Sequence, residues 1–237
     1  KEKLPRAVFI DYLRILCGLH LALYTMKVVY LLPKMVDAGT RNVTDDWSMV
    51  VDLTDNLDSI VSQYACKDIE RMENSYGKYI RATYMVDIIQ KRKRCDVDEA
   101  FRILKEDNNK QGEYYEKELN DIEDSLPNSD EKEFDKNDFH EMLEFFPEKD
   151  YFDMFVHVLE KSNLGASQYQ YIHDFVDAVC MKNSSSMLLA DSRSKRHPRR
   201  GALGSKLLET LVQLLVLKEK TNGGYETRSL SIDELAS

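Results

Sequence analysis

The chain predicts a mainly α fold, a multi-helix body with a long helical hairpin or arm. Three observations carry this. Apolar residues recur at steps of three and four in one stretch after another, which is the helical period. Nine glycines and five prolines in 237 residues are too few for the many turns of an all-β chain. Charged residues make up 32% of the sequence, rich in the Leu, Glu and Lys that favour helices, while 43% apolar residues supply a core. The length suits one large domain or two small ones.

The first element is Ala7–Leu32, AVFIDYLRILCGLHLALYTMKVVYLL, the most apolar stretch of the chain. It reads as a central helix buried on nearly every side. A membrane span needs about 20 apolar residues, but Lys27 would cost roughly 2.5–3.5 kcal/mol near a bilayer centre. The core reading is therefore preferred, and Pro33 is expected to end the helix by disfavouring helical geometry before it.

A polar loop at Gly39–Thr44 follows, with Thr44 or Asp46 placed to cap the next helix. From Asp46 to about Arg94 the apolar positions keep helical spacing (Trp47, Val50, Leu53, Leu57, Ile60 and on to Ile88). That is long for one helix, so it predicts an antiparallel hairpin or coiled-coil-like arm with a break near Gly77. Lys91–Arg94, KRKR, reads as a helix end whose cations offset the macrodipole.

Asp96–Asp153 holds 21 acidic and 7 basic residues, net −14, whereas the rest of the chain carries +5. Within it, acids at Asp96, Asp98 and Glu99 open a helix as the dipole prefers. Tyr114–Leu126 is a second helix, and Leu126–Asp130 a loop. Pro147 marks a further start, and Asn163-Leu164-Gly165 a C-cap. Tyr169–Val179 forms one more amphipathic helix. The aromatic stripes in these helices are expected to be core.

Motifs for chemistry are missing. There is no phosphate loop, GxGxxG or GxSxG. Asp135–Glu141, DKNDFHE, lacks the glycine and terminal glutamate of a calcium loop. Cys17, Cys66, Cys95 and Cys180 are scattered, without CxxC, which argues against structural zinc. Cys17 and Cys180 are expected in the core, and His20, His157 and His173 on helices in structural roles. No catalytic residue, metal or cofactor is expected. Scattered cysteines and no secretory signal suit the cytoplasm. Lys1 is not a methionine and the last residues open a helix, so an excerpt of a longer protein is expected.

Composition changes at Asn183–Ser186. Met187–Leu189 reads as a short strand. Arg193–Arg200, RSKRHPRR, then packs five cations into eight residues, and Arg193, Lys195, Arg196, Arg199 and Arg200 are the candidate nucleic-acid contacts. Ser205 is placed to cap a helix over Lys206–Lys220 that Asn222-Gly223-Gly224 stops. Tyr225–Leu230 reads as a strand, and Ser231-Ile232-Asp233-Glu234 as a capping box opening another helix.

This order over Gly204–Ser237 resembles the beginning of a winged-helix domain, which implies a DNA- or protein-docking module with its recognition helix further on. Arg200–Leu217 and Leu230–Ala236, RGALGSKLLETLVQLLVL and LSIDELA, resemble accessory subunits of bacterial anti-phage defence systems. The expected parts are a core helix and arm (1–95), an acidic helical lobe (96–183), and a basic loop with the winged-helix-like segment (184–237). The expected function is a non-enzymatic interaction or scaffold subunit of a multi-protein assembly, acting on DNA as in antiviral defence. The alternatives are a winged-helix DNA-binding regulator with a helical dimerisation or sensor body, and a piece of an enzyme whose catalytic domain lies elsewhere. Protein partners are expected, with DNA reached through the basic region and homo-oligomerisation allowed, and no membrane.

Overall fold

The computed structural model describes residues 5–45, 47–52, 56, 58–106, 112–128, 134–146, 150–162, 165–180, 199–220, 224–229 and 231. Among these the chain is mainly helical: α1 Arg6–Ala38, α2 Ile60–Glu73, α3 Tyr76–Lys93, α4 Val97–Glu106, α5 Gly112–Ser125, α6 Lys136–Leu143, α7 Tyr151–Ser162, α8 Gly165–Cys180 and α9 Ser205–Val216. Two short strands, β1 Leu217–Lys220 and β2 Gly224–Thr227, pair antiparallel with Leu217 opposite Thr227.

The expected stop at Pro33 is not there, and α1 runs through it for 33 residues. Proline removes one N–H from the ladder, but Leu31 and Val36 on either side are buried, so packing holds the turn. The true stop is Gly39, in left-handed backbone at φ 70°. Thr40 N–H donates to the Met35 carbonyl and Gly39 N–H to that of Val36, both at 3.2 Å. This is the double bond pattern that closes a helix when a residue without Cβ takes the left-handed position.

The run from Asp46 to Arg94 resolves into three pieces. Residues 47–51 are not helical, and Asp52 makes a bridge. The helices α2 and α3 follow, broken at Asn74-Ser75 rather than Gly77. The basic run does end α3: Lys91, Arg92 and Lys93 form its last turn, and Arg94 caps it at φ 52°. Arg92 does not reach for water; its guanidinium lies 3.6 Å over the Tyr114 ring.

Two compact units emerge, the first comprising Lys1–Lys27, Ser48–Glu73 and Asp174–Ser237 and the second Val28–Trp47 and Asn74–His173. Each unit draws on separated stretches of the sequence. Long helices are the reason: α1 and α8 each contribute residues to both units.

The second unit builds its core from α3, α4, α5, α6 and α7, with the end of α1. Phe101, Tyr115, Phe139, Phe152 and Val156 are almost wholly buried there. Tyr115 stands edge-on to Phe152, ring centres 4.9 Å apart. Here the aromatic stripes are mostly core; Tyr114, Phe145 and Tyr171 are exposed. Many acids act as caps, accepting orphan N–H groups at helix starts. Asp96 accepts from Glu99, Asp150 from Asp153, and Asp135 from both Asn137 and Asp138. The calcium-like run DKNDFHE is the start of α6, with Asp138 reaching back to the Asp135 N–H.

In the first unit α9 ends at Val216, four residues earlier than expected, because Leu217–Lys220 pairs with Gly224–Thr227. The second strand matches the extended stretch read from Tyr225. The expected strand at Met187–Leu189, and the capping box apart from Ser231, lie outside the described residues.

Gly39→Ala is expected to lower stability by about 1–2 kcal/mol, the cost of a left-handed L-residue. Its Cβ would also come 2.7 Å from Lys105 Cβ. Urea midpoints check this. His157 gives a pH test. Burial pushes its pKa below the ordinary imidazole value, with Glu160 pulling less strongly the other way. The fold holds it neutral where the unfolded chain takes up a proton. Stability should therefore be full above about pH 6.5 and fall as pH drops from there through the folded pKa. His157→Gln should flatten that fall in denaturation midpoints measured at about pH 7.5 and about pH 5.5.

Candidate interaction site

Of the five candidate nucleic-acid contacts, Arg193, Lys195 and Arg196 lie outside the described residues. Arg199 and Arg200 are described, and both turn inward. Arg199 forks between Glu73, at 2.8 Å, and Asp177. Arg200 Nε stands 3.1 Å from Asp52 Oδ2, an ion pair by distance although the N–H is not aligned for a hydrogen bond. The side chain of Asp52 has no exposed surface, and those of the two arginines keep 11–15%.

The backbone around this pair is held as tightly. Asp52 N–H donates to the Gly201 carbonyl at 2.8 Å, and Asp52 bridges Ala202 in parallel. A Cβ at Gly201 would lie 2.9 Å from the Val50 carbonyl oxygen, so glycine allows the close approach. On the other side Val50 N–H donates to Asp68 of α2, and Arg71 donates to the Ser48 carbonyl. Cys66 belongs to the same cluster: burial raises its thiol pKa more than Arg200 lowers it. Two of the five expected phosphate contacts thus serve inside the fold. No local signal could separate them from the other three, because Glu73 is 126 positions from Arg199.

The expectation for α1 needs the larger correction. Within Arg6–Lys27 it is not buried all round: Ile15, Ala22 and Met26 are covered, while Phe9, Ile10, Leu13, Leu21 and Tyr24 are about half exposed or more. Cys17, expected in the core, is exposed. Positions 10, 13, 17, 21 and 24 advance by three or four and so share one face. Leu16, Cys17, His20, Leu21 and Tyr24 line a shallow dent in it. The helix is long and apolar enough to cross a membrane by length and composition, and a third of its most apolar window is buried inside the protein.

The expected structural histidines fall on α1, α7 and α8. His20 is exposed on the α1 face, and the His173 ring stands edge-on to Tyr76. Among the described residues no three His, Cys, Asp or Glu side chains are grouped to hold a metal ion.

Arg200→Gln leaves a fully buried carboxylate without its cation. It is expected to cost about 3–5 kcal/mol, seen as a lower denaturation midpoint and faster amide exchange at Asp52. A variant of wild-type stability that lost affinity for duplex DNA would instead return Arg200 to phosphate contact.

No curated protein and no solved structure matches the chain. A family profile does, over residues 1–237, which supports the resemblance to anti-phage defence components. The chain belongs to the family described as methylation-associated defense system protein MAD7.

Proposed function

We propose that the chain is a non-enzymatic interaction subunit of a multi-protein defence assembly in the cytoplasm, and that the first unit docks it there. The distribution of exposed apolar surface carries this reading. Of the fifteen large apolar side chains that stand exposed among the described residues, twelve lie in the first unit. Such concentrations mark interaction sites on soluble proteins. Family membership supports the setting, since a defence system supplies other components to bind.

Magnitudes favour a broad contact. Completing the burial of one half-exposed Leu or Phe is worth roughly 1 kcal/mol, whereas association costs about 4–15 kcal/mol. Several anchors must therefore be covered together. A DNA-contacting role would fall instead to Arg193, Lys195 and Arg196 and to the winged-helix-like segment; its support is the acid-free run of cations from Arg193 to Arg200.

The test is co-expression of the tagged chain with the other components of its system. Leu13→Glu, Ile60→Glu and Tyr64→Glu combined should abolish co-purification with unchanged thermal stability, because all three side chains are already exposed. Phe145→Glu in the second unit should leave it intact. Retention of partners by the triple variant would defeat the reading. Steeply salt-dependent duplex binding by the chain alone would favour the DNA-binding regulator.

A further inference from the structure

We infer that the outer face of α1 between Arg6 and Lys27 is the seat of one amphipathic helix, from a partner subunit, whose apolar stripe is edged by acidic side chains. This rests on the docking role proposed for the first unit and names its surface and occupant.

The geometry is that of a helix face prepared for another helix. Ile10, Leu13, Cys17, Leu21 and Tyr24 form the stripe, with Phe9 beside it. From Phe9 to Tyr24 it runs about 22 Å at the helical rise, room for two successive i, i+3, i+4, i+7 sets of anchors of the kind read in helix-in-groove recognition. The edges are cationic. Arg6, Arg14 and Lys27 are exposed, as is His20. At 100° per residue they fall within roughly 80° of the stripe centre, whereas the exposed acid Asp11 lies roughly 120° away. Rim charges choose the partner by complementarity, so the occupant should carry Asp or Glu beside its apolar stripe.

The charges and the burial of the opposite face argue against two other occupants. A second copy set face to face would bring cation against cation, since a two-fold interface opposes each patch to itself. A transmembrane position would require the opposite face, Ile15, Ala22 and Met26, to leave the protein core it fills.

Cys17 reports on the site from its middle. The experiment measures its alkylation rate in the full chain by mass spectrometry, with the half-buried Cys66, away from the stripe, as an internal reference. The probes are a synthetic helical peptide with a leucine stripe edged by glutamate, its lysine-edged counterpart, anionic lipid vesicles, and the co-purified partner complex. The glutamate-edged peptide should slow Cys17 about tenfold, as about nine-tenths occupancy requires, and the lysine-edged peptide should not. Arg14→Glu with Lys27→Glu should reverse that preference. Equal protection by both peptides, protection by vesicles alone, or protection that rises with chain concentration would overturn the proposal. A partner complex that forms with Cys17 still reactive would remove the α1 face and leave the docking reading standing. No complex at all would remove the docking reading itself.

Discussion

The ion pair between Asp52 and Arg200 closes the first unit. A carboxylate with no exposed surface is costly to bury and costlier to leave alone. Its partner arrives from far along the chain, so the pair fixes one of the fold's long loops, whose closure entropy must be offset by local contacts. Those contacts are at hand. The Asp52–Ala202 bridge, the approach of Gly201 to Val50 and the fork of Arg199 onto Glu73 and Asp177 all lie within a few residues of the pair. Asp68 and Arg71 then tie the same extended segment to α2. The first unit is thus joined by polar contacts as well as by buried side chains such as Ala65, Ile69 and Leu207.

The second unit solves the same problem differently. Its aromatic side chains interlock in one core, and its surplus acids sit where helices have unsatisfied N–H groups to offer. Arg81 holds α3 to α7 through Asp153 and Glu160. The negative charge of Asp96–Asp153 is therefore partly an instrument of folding, and acidity alone says little about a ligand there. The contrast between units is what gives the exposed apolar face of the first its meaning.

Much of this was legible in the sequence, and all but one of the misreadings share a cause. Helical periodicity located α3, α4, α5, α7 and α8, and the acids at Asp96, Asp98 and Glu99 marked the start of α4, because caps and periods act within a few residues. Pro33 misled because its penalty is local while the packing of Leu31 and Val36 that outweighs it is not. The last turn expected of α9 became β1 because a strand partner outcompeted helical propensity. Arg199 and Arg200 looked like their neighbours because charge density in a window carries no information about a carboxylate brought in by the fold. The α1 face was hidden for the opposite reason. A segment apolar on every side does not show which side the chain itself covers.

That last point bears on what α1 is for. A helix apolar all round is stable in water only if all of it is covered. Around Val29, Leu31 and Val36 the chain supplies buried positions close together. Between Phe9 and Tyr24 it covers one side and leaves a stripe of half-exposed side chains framed by arginine and lysine. Were this stripe merely tolerated, polar substitutions at Ile10, Leu13, Leu21 and Tyr24 would have no cost to folding and some benefit to solubility. Retaining apolar residues there, in helical register and with cations at the edges, makes physical sense if the missing cover comes from another molecule. The all-round hydrophobicity of the sequence and the one-sided burial of the structure then describe a single helix shared between a fold and its partner.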